Sequence, residues 1–596
     1  MSSVRLFTPN PPQAELKKVA SFVRKTFLGV AAFSAMINVL YLTGSFFMLE
    51  VYDRVIPGRS VPTLVGLSIL VVALYLFQGA LEMIRGRVLV RVASGLDLAL
   101  NRNVFDGLVT FPLKFRVKGD GLQPVRDLDQ IRNFLSGLGP TALFDLPWMP
   151  IYLGICFLFH PWIGLTALVG ALLLVVLTFL TDFFGRSASK DTVEVTMRRH
   201  ALADSARRNV EVIHALGMRS RFADRWAETS KTCLESNRRM SDLTGGFASF
   251  SKVLRMGLQS AVLAIGAYLV IKQEASSGII IASSIITSRA LAPVELAIAN
   301  WKGFIAARQS WARLDEMFKA LPGRTDTLAL PAPKSSLAIE TVSAVAPGGQ
   351  QPVVQNVSFG LKAGNGLGII GPSGSGKSSL VRLLVGVWTP YRGRIRLDGA
   401  ALDQWQADDI GRHLGYLPQD VELFAGTVAQ NVGRFDPTAD PSTIVAAAKA
   451  ACVHEMILHL PEGYETQIGE GGAFLSAGQR QRIGLARALY GDPFLVVLDE
   501  PNSNLDREGD EALTEAIRGV RARNGIIIVV AHRPSALAGL DVVLVMDEGQ
   551  IKAFGPKEEI LAKMLRQAAP VPQPPAEPAT AAAPLRVVNE GWGGKP

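Results

Sequence analysis

Gly371-Pro372-Ser373-Gly374-Ser375-Gly376-Lys377-Ser378 follows directly on the apolar run Gly366–Ile370 and opens a helical run, Ser379–Val387. This order of strand, glycine-rich loop and helix is what a phosphate cradle, the P-loop, requires. Its glycines let successive backbone N–H groups wrap phosphate oxygens, Lys377 reaches the β- and γ-phosphates of a nucleotide, and Ser378 is placed to ligate Mg²⁺. The cradle so read comprises Gly371 through Ser379. Alone, the match could be a chance Gly-rich turn. A second stretch argues against that: Phe494-Leu-Val-Val-Leu-Asp499-Glu500 has the pattern of a buried strand ending in two carboxylates. In that pairing Asp499 helps to hold Mg²⁺ and Glu500 polarises the attacking water. Residues 337–567 alternate short apolar strands with helical segments, which predicts an α/β P-loop ATPase domain.

Upstream of this domain the chain changes character. Six apolar stretches lie near 27–49, 63–84, 141–159, 162–182, 250–271 and 277–299, each close to the roughly 20 residues that cross a bilayer. Buried helices of a large soluble protein are the bland alternative, but Thr63–Gln78 and Ile163–Leu180 carry no charge at all. The 596 residues exceed one core, and 48% hydrophobic with 19% charged residues fits a mixture of membrane and soluble parts. The expected architecture is an α-helical six-span transmembrane domain fused to the ATPase domain. Its parts are an N-terminal segment, 1–26, a transmembrane domain, 27–320, a linker, 321–336, the ATPase domain, 337–567, and a Pro/Ala-rich tail, 568–596, expected to be disordered.

The net charge of +9 could suggest nucleic acid, yet the cations gather beside the apolar stretches, so no nucleic-acid partner is expected. Connections 85–140 and 183–249 hold Arg85, Arg87, Arg91, Arg102, Arg198, Arg199, Arg207 and Arg208 among others, whereas the remaining connections are short and nearly free of excess cations. The positive-inside rule therefore places both termini and both long connections in the cytoplasm. Those connections read as helical extensions turning at Lys118-Gly119-Asp120-Gly121 and Ala215-Leu216-Gly217. The first stretch is too long for a signal-peptide core and is read as a retained span. Cys156, Cys233 and Cys452 lie far apart, without metal-ligand spacing, and suit a reducing compartment.

Between the two acidic and glycine-rich motifs lies Leu475-Ser476-Ala477-Gly478-Gln479, ahead of the helical run Arg480–Leu489. It resembles the signature motif of the ATP-binding-cassette (ABC) family, usually Leu-Ser-Gly-Gly-Gln. Ser-x-x-Gln is also a helix capping box, and both readings can hold. The resemblance implies that Ser476, Gly478, Gln479 and the helix-start amides hold the γ-phosphate of ATP bound to a second subunit. Gln419, in Tyr416-Leu-Pro-Gln-Asp420, resembles the loop glutamine that senses Mg²⁺ and water, and so joins Ser378 and Asp499 as a metal candidate. Ser503-Asn-Leu-Asp506 resembles the D-loop, and His532, after Ile526–Val530, resembles the switch histidine. The implied catalytic set is Glu500, His532, Gln419 and Lys377, with ATP and Mg²⁺ as cofactors. Two departures stand out. Ala477 replaces the first of the two usual glycines of the signature, adding a methyl group where backbone approaches phosphate. The aromatic residue that commonly stacks on adenine is absent from Thr341–Pro347, which predicts weak discrimination between ATP and GTP.

Over 27–565 the chain resembles type I secretion transporters, specifically the protease-secretion (PrtD/AprD-type) branch. The resemblance rests on Met48-Leu-Glu-Val-Tyr-Asp-Arg-Val-Ile-Pro57, Phe144-Asp-Leu-Pro-Trp-Met-Pro150, Asn300-Trp-Lys-Gly-Phe-Ile-Ala-Ala-Arg308 and Gly415–Phe424. It implies a homodimer in the bacterial inner membrane, embedded in membrane lipid. It further implies a periplasmic membrane-fusion adaptor, an outer-membrane channel, and an unfolded protein substrate with an uncleaved C-terminal signal. Residues 1–26 are too few for an N-terminal peptidase domain, so leader cleavage is not expected. An exporter of lipids, drugs or peptides would share the same motifs. Arg289 and Glu295 interrupt the sixth stretch, and Ser283, Ser284, Thr287, Ser288 and Arg289 give it the mixed character expected of a polypeptide path.

Overall fold

The computed structural model describes residues 12–115, 121–320, 330–531 and 534–568. The chain forms two compact units that divide after Asp326. The Pro/Ala-rich tail beyond Ala568, much of the linker, and the Lys118–Asp120 turn expected above lie outside the described residues.

The first unit is helical, and six of its described helical stretches are long and apolar enough to cross a membrane: Thr26–Gly58, Val61–Lys114, Gly139–Phe159, Pro161–Arg208, Arg219–Ile271 and Ser277–Ala299. Three of them far exceed a bilayer. At 1.5 Å per residue the 54 residues of Val61–Lys114 span roughly 80 Å, against ~30 Å of hydrocarbon. The excess is where the cation-rich connections fall, so these are helical extensions, joined at the second turn by Gly217 with φ +62°. Gln123–Ser136 and Trp301–Ala320 pack on the first extension through Leu100, Leu128, Ile131, Leu314 and Phe318. There the buried Asp127 accepts from Ser310 and Arg313.

Large apolar side chains such as Leu76, Leu158 and Phe183 point outward, while polar groups sit inside the bundle. That inversion suits lipid, where interhelical hydrogen bonds replace water. Arg85, counted above among the loop cations, is buried instead. Its Nη1 donates to Asp145 Oδ1 at 3.0 Å and to Ser34 Oγ at 3.1 Å, and Asn38 Nδ2 donates to the same carboxylate at 2.7 Å. Tyr152 donates its hydroxyl to Asn38 O at 2.7 Å. With that carbonyl engaged, Leu42 N–H turns to Val39 O at 3.1 Å, and the first span breaks between Leu40 and Thr43. A side chain entering the backbone ladder is a known cause of such breaks. A five-residue π-helical turn follows at Val51–Val55. Its Asp53 accepts from Ser276 Oγ and Gly278 N, tying it to the start of the sixth span.

The polar run of the sixth span also needs correction. Ser283, Ser284 and Thr287 are buried within the bundle rather than lining an opening, and Thr287 contacts Cys156 Sγ at 3.7 Å. Glu295 pairs with Arg255 at 2.5 Å, and Arg255 also donates to Ser288 Oγ at 3.0 Å. Arg289 remains exposed.

The second unit has ten strands among its described residues. Ser336–Val345 (β1), Pro352–Lys362 (β2), Arg392–Leu397 (β4) and Ala400–Ala401 (β5) form an antiparallel sheet in the order β2-β1-β4-β5. Gly366–Ile370 (β3), Leu414–Leu417 (β6), Leu495–Asp499 (β7), Ile526–Val530 (β8), Val542–Asp547 (β9) and Gln550–Pro556 (β10) form the larger sheet. Its order is β10-β9-β3-β8-β7-β6, parallel except for β10. Alternate residues of β7 and β8 enter two different cores, Val496 and Ile527 on one face and Val497 and Ile528 on the other. Such two-sided burial is why these strands read as unbroken apolar runs. Asp398, in the β4–β5 turn, accepts from the backbone N–H groups of Lys334, Ser335 and Ser336 and so fixes the chain where β1 begins.

Candidate nucleotide site

In an open parallel sheet, ligands bind beyond the carboxyl ends of the strands. Here β3 ends at Ile370 and runs into Gly371, β7 ends at Asp499, and β6 ends at Leu417, two residues before Gln419. The sheet therefore delivers three of the sequence-predicted groups to one edge.

The loop geometry demands glycine at two positions. Gly371 has φ +154°, and a Cβ there would lie 2.2 Å from Met546 O. Gly376 has φ +93°, and its Cβ would lie 2.6 Å from Val353 O. Pro372, Ser373 and Gly374 are exposed at the crest of the loop, Ser378 and Ser379 are half-buried, and the helix Lys377–Leu384 starts directly after Gly376. Lys377 is buried and folds back over the loop, with Nζ donating to Gly371 O at 2.9 Å and Pro372 O at 2.8 Å. Burial lowers its pKa, against the raising effect of the Glu500 and Asp499 carboxylates. Ser375 Oγ is buried without a hydrogen-bond partner among the described residues. An orphaned buried hydroxyl inside a glycine-rich loop fits a phosphate oxygen.

Ser378 Oγ stands 3.4 Å from Asp499 Oδ1, and Gln419 Nε2 donates to Glu500 Oε2 at 3.2 Å. Burial pushes the Asp499 carboxyl above the usual carboxylate range, the Ser378 bond opposes this, and Glu500 adds to it. A hydroxyl, an amide oxygen and a carboxylate are hard oxygen donors of the kind Mg²⁺ takes when phosphate and water complete its shell. Glu500 itself has φ +51°.

Ser476, Gly478, Gln479 and Asp506 form a second group. Ser476 Oγ accepts from Gln479 N at 3.2 Å and Gln479 Oε1 from Ser476 N at 2.9 Å, a full capping box for the helix Ala477–Leu489. Asp506 caps the next helix, Arg507–Ala522, accepting from Gly509 N at 2.9 Å, and receives Arg482 at 2.6 Å. The Gly509 amide and then Arg482 hold its carboxyl below the usual range. Gln481, which sequence reasoning missed, links the two groups. Its amide donates to Pro501 O and, at 3.4 Å, to Glu500 O, while its Oε1 accepts from Asn504 N at 3.0 Å. The one sequence signal for it is an uncharged amide between Arg480 and Arg482, and its burial shows only in the fold. His532 lies outside the described residues. No aromatic residue occupies Thr341–Pro347, and the exposed Tyr391, whose amide donates to Ser343 O at 3.1 Å, is an aromatic neighbour the sequence pattern did not signal.

Two family models match the chain, "ABC transporter" over residues 354–503 and "ABC transporter transmembrane region" over residues 27–292. The chain is also 59% identical over 543 residues to the type I secretion system ATP-binding protein PrsD of Rhizobium meliloti (strain 1021). That match spans 91% of this chain and 93% of the relative. The chain is an ABC transporter of the type I secretion family. The leukotoxin translocation ATP-binding protein LktB of Mannheimia haemolytica is 28% identical over 544 residues, 90% of this chain and 76% of its own. The solved structure of a bacterial Atm1-family ABC exporter with ATP bound shares the fold, with a TM-score of 0.79 at 23% identity over 92% of this chain and all of that one. As an ABC transporter, this multi-pass membrane protein binds ATP and couples its hydrolysis to transport.

Proposed function

We propose that this ABC transporter exports unfolded proteins with an uncleaved C-terminal signal, as the ATPase and permease of a type I secretion system in a bacterial inner membrane. The observation that carries the reading is kinship that runs through the membrane unit as well as the ATPase unit, so it concerns what is moved and not only what drives it. In this reading both termini are cytoplasmic, a periplasmic adaptor docks on a homodimer, and an outer-membrane channel completes the path.

At each ATP site, the amides of Gly371–Ser379 and the hydroxyl of Ser375 would hold the phosphates. Lys377 would exchange the loop carbonyls it now caps for phosphate oxygens, a stronger charge-assisted bond. Ser378, Gln419 and Asp499 would hold Mg²⁺, which supplies charge neutralisation to the phosphates when bound. Glu500 would accept the proton of the attacking water, positioned by Gln419, with His532 beside the γ-phosphate. Ser476, Gly478, Gln479 and Asp506 of the second copy would close the site from the opposite side.

The test is secretion by the transporter, adaptor and outer channel expressed together with a candidate cargo from the same system. Removing the cargo's C-terminal segment should abolish export. Export that persists without it, or lipid or drug movement with no protein export, would favour the alternative exporter class.

A further inference from the structure

A cavity of about 350 Å³ lies wholly within the membrane unit, lined by Tyr41, Gly44, Phe47, Tyr75, Gln78 and Arg289 among others. It opens where the first span breaks. Irregular backbone at membrane depth persists only where it is packed in protein or lines a watered cavity, and broken spans mark binding sites in other transporters. Gly44 lets Tyr75 close on the break, since a Cβ at Gly44 would stand 2.7 Å from the Tyr75 hydroxyl. Arg289 comes from the middle of the sixth span, with its guanidinium 4.5 Å from the centre of the Tyr41 ring. Glu82 is already taken, accepting from Tyr41 OH and Gln78 Nε2, each at 2.9 Å. Gln78 Oε1 is buried with no donor among the described residues.

The cavity thus offers a cation, a waiting acceptor and three aromatic walls. We propose that it is a binding site for an extended polypeptide segment presenting a carboxylate beside an apolar side chain. Arg289 takes the carboxylate, Gln78 Oε1 accepts a peptide N–H, and Tyr41, Phe47 and Tyr75 enclose the side chain. A lipid phosphate would answer Arg289 but has no donor of its own for Gln78 Oε1, which would then depend on a headgroup amine or hydroxyl, and so fits less well. The volume suits one or two side chains, at the small end of ligand pockets, so the cavity grips a short stretch of a longer chain. The carboxylate is either the chain terminus or an acidic side chain. This inference rests on the proposed export of polypeptides.

The experiment uses the full chain in phosphatidylcholine nanodiscs and short fluorescent Gly/Ser peptides. One ends in phenylalanine with a free carboxylate, one is its amide, and one is the amide with glutamate before the phenylalanine. Affinity for the free acid should fall about tenfold or more in Arg289→Gln, the scale of one lost charge-assisted hydrogen bond. It should fall less in Arg289→Lys, which keeps the charge, and should also fall in Gln78→Leu, with thermal melts confirming that each variant folds. If only the free acid binds, the terminus is the ligand; if the glutamate peptide binds as well, an acidic side chain suffices. Peptide binding indifferent to both positions would overturn the site while leaving polypeptide export standing. Absence of any peptide binding, with phosphatidylglycerol vesicle lipid bound through Arg289 instead, would overturn both.

Discussion

Glu500 holds a left-handed backbone conformation that costs a non-glycine residue about 1–3 kcal/mol and persists only where its surroundings impose it. They do: its N–H donates to Val530 O at 3.3 Å, and Gln481 grips Glu500 O and Pro501 O from behind. The strain aims the carboxylate at Gln419 instead of along β7. Glu500→Gln preserves shape and hydrogen bonding but removes the proposed proton acceptor, so ATP binding should persist while turnover falls about 10²–10⁴-fold, measured by nucleotide binding and phosphate release on one preparation. Asp398 offers a separate test at a residue remote from catalysis. Burial raises its pKa, but the amides of Lys334, Ser336 and Ser335 outweigh this and hold it below the usual range. Its folded pKa therefore lies under its unfolded value, and the stabilisation is complete above about pH 4 and lost as pH falls through the folded pKa. Asp398→Asn keeps the left-handed turn, which asparagine tolerates. It should cost about 1 kcal/mol at neutral pH after allowance for solvent screening. Thermal melts of the full chain should show the two proteins converging in acid.

At the scale of elements, what the sequence discloses depends on whether the cause is local. Apolar runs locate the six membrane-long helices because lipid imposes composition on every turn. The strands β3, β7 and β8 are legible for a similar reason, being buried on both faces. The break after Leu40 is not legible, because residues 27–49 form one continuous apolar run and the cause is Tyr152, more than a hundred residues away. The same limit explains Ser283, Ser284 and Thr287. Their polarity is visible in sequence, but which face of Ser277–Ala299 meets its neighbours is set by packing. It also explains Arg85, a cation at the end of an apolar run that turns inward to Asp145. The two charges of the sixth span now part company. With the exposed Cys452 first changed to serine, a cysteine replacing Arg289 should react with a polar thiol reagent. One replacing Glu295, where the wild-type side chain is held by Arg255, should react far more slowly. Equal rates at the two positions would contradict the cavity beside Arg289.

For the whole molecule, the decisive fact is that one chain carries the P-loop group and the signature group as two clusters, joined only from behind Glu500 through Gln481 among the described hydrogen bonds. Gly371–Ser379, Asp499 and Glu500 gather at the strand ends, whereas Ser476 and Gln479 are closed on each other in a capping box and Asp506 is engaged by Arg482. A helix start with inward-facing amides is a ready anion site, but in a homodimer the anion it meets would be the phosphate held by the other copy. That arrangement can be separated from sites complete within one chain by mixing two defective proteins. Lys377→Ala removes the proposed phosphate cation, and Ser476→Arg blocks the signature helix start, so each homodimer should be nearly inactive. In a mixed dimer with sites shared between chains, one site carries both defects and the other carries neither. Differently tagged chains, co-expressed and purified through both tags, should therefore regain measurable ATP turnover from two silent parents. Sites complete within one chain predict silence in the mixed dimer as well, because each chain then keeps its own defect. The recovered rate also reads coupling: a single intact site working near half the wild-type rate would show the two sites to act independently, and a much lower rate would show that each requires the other to close.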